Sequence, residues 1–220
     1  MGVVLKTIIK RRTFIKGCAV VSVMPVFSAS ALVPMMIGPM AETDFNIIDY
    51  GAVADGVTVC TDAIHRAVQA CHQAGGGRVV VPEGTFLTGS VELLSNVDLH
   101  VTADAALLFD AGSMEQVAAM VHASHQHNIA ITGTGILDAR TDGSNWWYGK
   151  GYQRGKYGLL VANTHAVEQA ELLSVVRVTD CQDVLFEGVS VHNAPSWLIK
   201  PDRCDRVTMR NVTTLQRFAS

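Results

Sequence analysis

Three histidines, His122, His125 and His127, stand in a His-x-x-His-x-His order that could hold zinc through imidazole nitrogens. No Cys, Asp or Glu adjoins them to complete a ligand set, and the spacing suits a polar loop leading into a strand at Ile129. No metal and no cofactor is therefore expected. Trp146, Trp147, Tyr148, Tyr152 and Tyr157 lie among Gly, Lys and Arg. That composition fits stacking on sugar rings or a loop packed on a wall of strands, and packing is the better fit for the Trp pair. Cys60 and Cys71 flank or occupy one expected helix, which separates them by roughly 16 Å, beyond disulfide reach. The triplet 75–77 is all glycine, but it follows a helix and precedes a strand. That is the reverse of a phosphate-binding loop, so it reads as a helix stop.

The elements that must position these groups are short. Ile64, Ala67, Val68 and Cys71 recur at helical spacing and predict one amphipathic helix over about 61–74. Before it, 45–51 reads as a strand and 54–56 as a turn. After it, apolar residues alternate in short runs and no second long helix is evident. The pattern then repeats: 204 minus 181, 207 minus 184 and 212 minus 189 all equal 23, matching Cys181, Val184 and Val189 to Cys204, Val207 and Val212. Asn96 and Asn128 begin an earlier Asn-apolar-x-apolar pair with a longer spacing. Short alternating strands at a period of this length predict an all-β chain. They wind as the coils of a parallel β-helix, with roughly six turns from residue 78 onward and the helix capping the open end of the apolar column. Cys181 and Cys204 would stack in that geometry, as a thiol ladder in preference to a disulfide.

Residues 1–31 carry Lys6, Lys10, Arg11, Arg12 and Lys16 without an acid, then an apolar run over 17–27 and the small residues Ser28, Ala29, Ser30 and Ala31. This is the layout of an export signal. Arg11, Arg12, Phe14 and Lys16 resemble the twin-arginine signal, which implies recognition by the twin-arginine translocase and a periplasmic or secreted product. Residues 32–44 are then a linker and 45–220 the domain. The whole chain has 17 Lys and Arg against 20 Asp and Glu. Removing the signal takes five of the 17 and leaves 12 against 20, or −8, so nothing favours a nucleic-acid partner.

An ordered series of segments carries a resemblance. Phe45 to Ala52 with Asp55-Gly56, Thr61-Asp62-Ala63-Ile64, Gly75 to Pro82, Gly84 to Gly89, Leu94 to Leu99, Gly133 to Asp138, Trp146-Trp147 and Asn193-Ala194-Pro195-Ser196-Trp197 followed by Cys204 resemble, in order, the N-terminal portion of glycoside hydrolase family 28, the polygalacturonases. The resemblance implies a right-handed, single-stranded parallel β-helix of the pectin-lyase type and inverting hydrolysis of α-1,4-galacturonosyl linkages. A pectic polysaccharide is then the partner, bound by a monomer.

In that family the reacting carboxyl groups come from Asn-Thr-Asp and Asp-Asp segments, supported by Gly-His-Gly and Arg-Ile-Lys segments. None of the four occurs in this sequence. Arg140-Thr141-Asp142-Gly143 is only superficially similar: it has Arg where Asn belongs and precedes the Trp pair, so it reads as a turn. No catalytic residue is expected in this chain, and Asn193 is the one candidate substrate neighbour, with Trp197 beside it expected to be buried. The resemblance further implies a chain truncated before its chemistry, an expectation that the uncapped last coil shares. Two other readings compete: a polysaccharide lyase, which would need clustered acids for calcium, and a non-catalytic β-helix that binds polysaccharide along its length.

Overall fold

The computed structural model describes residues 43–110, 119–140, 174–194 and 197–215, and the backbone alone of 152–154 and 160–162. The export-signal residues, Trp146, Trp147, Tyr148, Tyr157 and 141–143 lie outside them. The described chain opens with β1 (Asp44–Asn46), a 3-10 helix (Ile47–Tyr50), β2 (Asp55–Val59) and α1 (Thr61–Gln73). It then winds in repeated turns. The first holds β3 (Gly77–Val81), β4 (Gly84–Thr88) and β5 (Val91–Glu92), and the second β6 (Val97–Val101), β7 (Ala105–Phe109) and β8 (Ala119–Ser124). The third holds β9 (His127–Gly133) and β10 (Ile136–Asp138), an antiparallel hairpin of β11 (Tyr152–Arg154) and β12 (Leu160–Ala162), and β13 (Ser174–Thr179). The fourth holds β14 (Gln182–Glu187), β15 (Ser190–His192) and β16 (Trp197–Asp202). A fifth begins with β17 (Asp205–Arg210) and β18 (Thr213–Leu215).

Successive turns stack as three parallel sheets. Sheet A has the order β1-β3-β6-β9-β14-β17, sheet B β2-β4-β7-β10-β15-β18 and sheet C β5-β8-β13-β16. The fold is a right-handed parallel β-helix. Its stability follows from rungs in register, because each inward side chain rests on one about 4.8 Å below it and neither faces water. In sheet A the column runs Phe45, Val79, Leu99, Ile131, Phe186, Met209. In sheet B it runs Phe86, Leu107, Leu137, Val191, Thr214, and in sheet C Val91, Val121, Val176, Ile199. The expected period is present as register: Val184 pairs with Val207.

Helix α1 buries Ala63, Ile64, Ala67, Val68 and Cys71 in the same core and closes the column at its first turn. Cys60 precedes the helix and Cys71 lies within it, both as free thiols, and burial pushes the Cys71 thiol up to about 11. Cys181 and Cys204 are also free thiols one coil apart, where the Asp205 amide donates to the Cys181 carbonyl at 2.9 Å.

Three expectations need correction. The strand expected over 45–51 ends at Asn46, whose side chain accepts from the Ile48 amide at 3.0 Å and turns the chain into the 3-10 helix. Local capping there overrides the apolar run. The turn expected at 54–56 is the start of β2. Gly56 has φ +68 and Asp55 accepts from the Val57 and Thr58 amides, so the bend sits inside the strand, which shifts register against β4. Beyond residue 77 the described strands make four full turns and begin a fifth, not six, because the β11–β12 hairpin interrupts the third. Hydrophobic spacing counts coils correctly only where no insertion leaves the solenoid.

Candidate substrate-binding face

Just after β10 and β15 in sheet B, at the third and fourth turns, the chain bends at a corner that carries polar residues. Asp138 ends β10, and its Oδ1 accepts from the Arg140 amide at 2.7 Å and from Asn193 Nδ2 at 2.8 Å. Arg140 and Asn193 both have left-handed backbone, φ +56 and +51. Asn tolerates that conformation better than most residues, so it suits a sharp corner. Asn193 is only 1% exposed, and its amide donates to the Leu215 carbonyl at 2.9 Å, tying the corner to the next coil. The Asn193 side chain therefore pins two coils together. Trp197, one coil edge further, is 50% exposed, contrary to the burial expected for it. It begins β16, which stands at one end of the described strands of sheet C.

Beyond the corner, alternation along sheet C sends every second residue outward. The outward row Glu92, His122, Arg177, Lys200 is in register from rung to rung. His122 Nδ1 lies 3.0 Å from Ser90 Oγ, whose hydroxyl also donates to the Ala119 carbonyl at 2.7 Å. Burial lowers the His122 pKa, opposed by Glu92. The other two histidines of the sequence cluster go elsewhere. His125 sits at a left-handed turn with Nε2 3.9 Å from Asp180, and His127 begins β9 in sheet A. Among the described residues no three His, Cys, Asp or Glu side chains converge as a metal site would require.

Carboxylates on sheet A and its edges are engaged within the chain. Arg203 grips Asp180 through Nε and Nη2 at 2.7 and 2.8 Å, Arg206 grips Asp183 at 2.6 and 2.8 Å, and Arg210 reaches Glu187 at 2.9 Å. These side-chain hydrogen bonds hold Asp180 and Asp183 below the ordinary carboxylate range. Asp98 differs, being buried on the outer side of sheet A. It accepts from Thr132 Oγ1 at 2.8 and 2.9 Å and from Arg78 Nε at 3.3 Å, while His100 Nδ1 lies 2.7 Å from the same hydroxyl. Burial nevertheless raises its pKa above 3.8, more than Thr132, His100 and Arg78 lower it.

A pH test follows from that balance. The folded protein binds the Asp98 proton more tightly than the unfolded chain does. Its contribution to stability is thus fully present below pH 3.8 and lost as pH rises through the raised folded value. Asp98→Asn keeps an acceptor oxygen for Thr132 and removes the charge. Its urea midpoint should gain on wild type between pH 4 and pH 7, and parallel curves would contradict the assignment.

The basic row of sheet C escaped the sequence reading, although its signal was there. Since 200 minus 177 is 23, Arg177 and Lys200 obey the period that aligns Val184 with Val207. That coincidence becomes meaningful only once register and face are known.

Comparison with known proteins agrees with this architecture. Residues 71–219 match Glycosyl hydrolases family 28. A Vitis vinifera protein named "Probable polygalacturonase" is 26% identical over 183 residues, covering 77% of this chain and 36% of its own length. An exo-poly-alpha-D-galacturonosidase of Dickeya chrysanthemi is 32% identical over 123 residues, 46% of this chain and 19% of its own. The crystal structure of a hyperthermoactive exopolygalacturonase from Thermotoga maritima superposes with a TM-score of 0.65 at 30% identity, covering 80% of this chain and 48% of that one. The chain thus spans between a fifth and a half of the length of these relatives. With a family match across most of its coils and a β-helix to carry it, the chain belongs to glycosyl hydrolase family 28.

Proposed function

We propose that this chain is part of a pectin-degrading hydrolase of the polygalacturonase type, acting on α-1,4-linked galacturonate with inversion, and that the 220-residue chain performs no hydrolysis by itself. The observation that carries the first half is the family match over 71–219, together with relatives named for polygalacturonate cleavage. The second half rests on chemistry. Inversion needs one carboxyl group to protonate the leaving oxygen and another, roughly 6.5 to 9.5 Å away, to activate water. The segments that supply these groups in the family are absent from the sequence.

The coil order supports a position for such groups. Each sheet B strand leads into sheet C, and the family's Asn-Thr-Asp segment follows the coil that begins at Cys204. Such a segment would enter sheet C beside β16, on the face that carries Lys200. In this reading the present chain builds a wall of the polysaccharide groove, and Asn193 shapes the corner beside it.

Reducing-end release from polygalacturonate tests the proposal. Purified chain should release none above a buffer blank, and measurable turnover would show that it has acids of its own. The export reading is tested separately. Arg11→Lys with Arg12→Lys should leave the product in the cytoplasm, and unchanged periplasmic product would exclude the twin-arginine route.

A further inference from the structure

We infer that Cys181 and Cys204 form a redox pair, free thiols in the reduced chain, which oxidation converts into a disulfide that clamps the fourth coil to the fifth. The inference does not depend on the substrate proposed above. In sheet A, Gln182 pairs in register with Asp205, and the Asp205 amide donates to the Cys181 carbonyl at 2.9 Å. The residues just before them, Cys181 and Cys204, therefore occupy one corner position in successive coils. A rung spacing of about 4.8 Å lies within the Cα separations that disulfides span. The side chains are also directed alike. Cys181 belongs to the buried core, Cys204 packs against it, and the Cys204 thiol is near enough to Cys181 to hydrogen-bond it. Cys60 and Cys71 have no such arrangement, since one precedes helix α1 and the other lies in its last turn.

Loss of the thiol protons costs this corner little. Cys181 Sγ donates to the Thr179 carbonyl at 3.2 Å, and Cys204 Sγ lies 3.4 Å from both the Val178 and the Asp202 carbonyls. Thiols are weak donors. The Thr179 carbonyl also accepts from the His125 amide and the Asp202 carbonyl from the Asp180 amide, both at 3.0 Å, so each keeps a partner after oxidation. The bridge acts where burial between coils is least. None of residues 205–215 is buried, and on the outer side the two coils are tied by the surface ion pairs Arg203–Asp180, Arg206–Asp183 and Arg210–Glu187. Salt weakens such pairs and leaves a covalent link unchanged.

Exposure sets the order of events with a small disulfide, such as oxidised glutathione, as the oxidant: Cys204 is partly exposed and Cys181 buried. The Cys204 thiol gives its proton to solvent, and the thiolate attacks one glutathione sulfur, forming a mixed disulfide and releasing one glutathione thiolate. Cys181 then loses its proton, and its thiolate attacks the Cys204 sulfur, forming the Cys181–Cys204 bond and expelling the second glutathione thiolate. Two protein thiols are oxidised while one glutathione disulfide is reduced to two thiols. Burial raises the Cys181 pKa, so closure is the slower step.

Peptide mapping by mass spectrometry tests the inference on the full chain, with Cys18 of the export signal changed to Ser in every sample so that it takes no part. The reduced protein is incubated with oxidised glutathione, unfolded and alkylated. Two thiols should be lost to a peptide pair joining Cys181 to Cys204, while Cys60 and Cys71 are alkylated. Cys181→Ser should stop at a mixed disulfide of Cys204 with glutathione, and Cys204→Ser should leave Cys181 unmodified. The oxidised chain should melt roughly 5 °C above the reduced one, a difference that persists in about 1 M sodium chloride and is erased by dithiothreitol. The map of the chain that keeps both cysteines needs neither variant to fold. If that chain retains all four thiols, stops at the mixed disulfide, or links either cysteine to Cys60 or Cys71, the pair is overturned. Equal melting of the bridged and reduced chains would overturn the clamp.

Discussion

Gly133→Ala is expected to destabilise the protein by roughly 3 to 5 kcal/mol, a large part of the 5 to 15 kcal/mol available to a domain. Gly133 ends β9 with φ +103, a backbone conformation that L side chains rarely adopt. A Cβ built there would lie 1.9 Å from the Val101 carbonyl oxygen one coil below. That oxygen already accepts from the Thr134 and Gly135 amides, both at 3.1 Å, so it cannot retreat without releasing two hydrogen bonds. The coil above repeats the device. Gly188 has φ +81, and its Cβ would meet the Gly133 carbonyl oxygen at 2.2 Å. One coil further, Asn211 occupies the corresponding corner with φ +53. Since the Asn side chain is accommodated there, Asn211→Gly should change the urea midpoint little while Gly133→Ala lowers it sharply. Equal, small effects at both positions would refute the close-approach argument.

Phe186→Ala should lower stability by about 3 to 5 kcal/mol. Phe186 is fully buried in the sheet A column between Ile131 and Met209, so truncation removes apolar contact on both rungs and leaves a cavity that the stacked backbone cannot collapse to fill. Met209, the next rung, supplies the comparison: it is 48% exposed, and Met209→Ala should remain below about 1 kcal/mol. Denaturant unfolding of the two variants distinguishes a rung packed on both sides from one that is half exposed. Similar losses in both would mean that Met209 is covered in solution.

Several elements were legible because their signals are local. Helix α1 was expected over about 61–74 and spans Thr61–Gln73, since a four-residue apolar stripe and a glycine stop suffice to define it. The family series reads along the chain without regard to contact. Elsewhere local signals competed, as at Asn46, where one side-chain hydrogen bond turned an expected strand into a 3-10 helix. Trp197, expected to be buried, is 50% exposed, because burial is set by what packs on β16 and not by any property of tryptophan.

By itself the amino-acid order determined the solenoid, its capping helix, its repeat and its likeness to the pectin-degrading hydrolases, because periodicity and ordered motifs are one-dimensional properties. Tertiary structure alone decided that Asn193 is locked against Asp138, that the three histidines diverge, and that Arg177 and Lys200 share one row. The reason is register. Residues 23 or 55 positions apart become neighbours only when whole coils stack, and the face each one occupies depends on every corner the chain has turned between them.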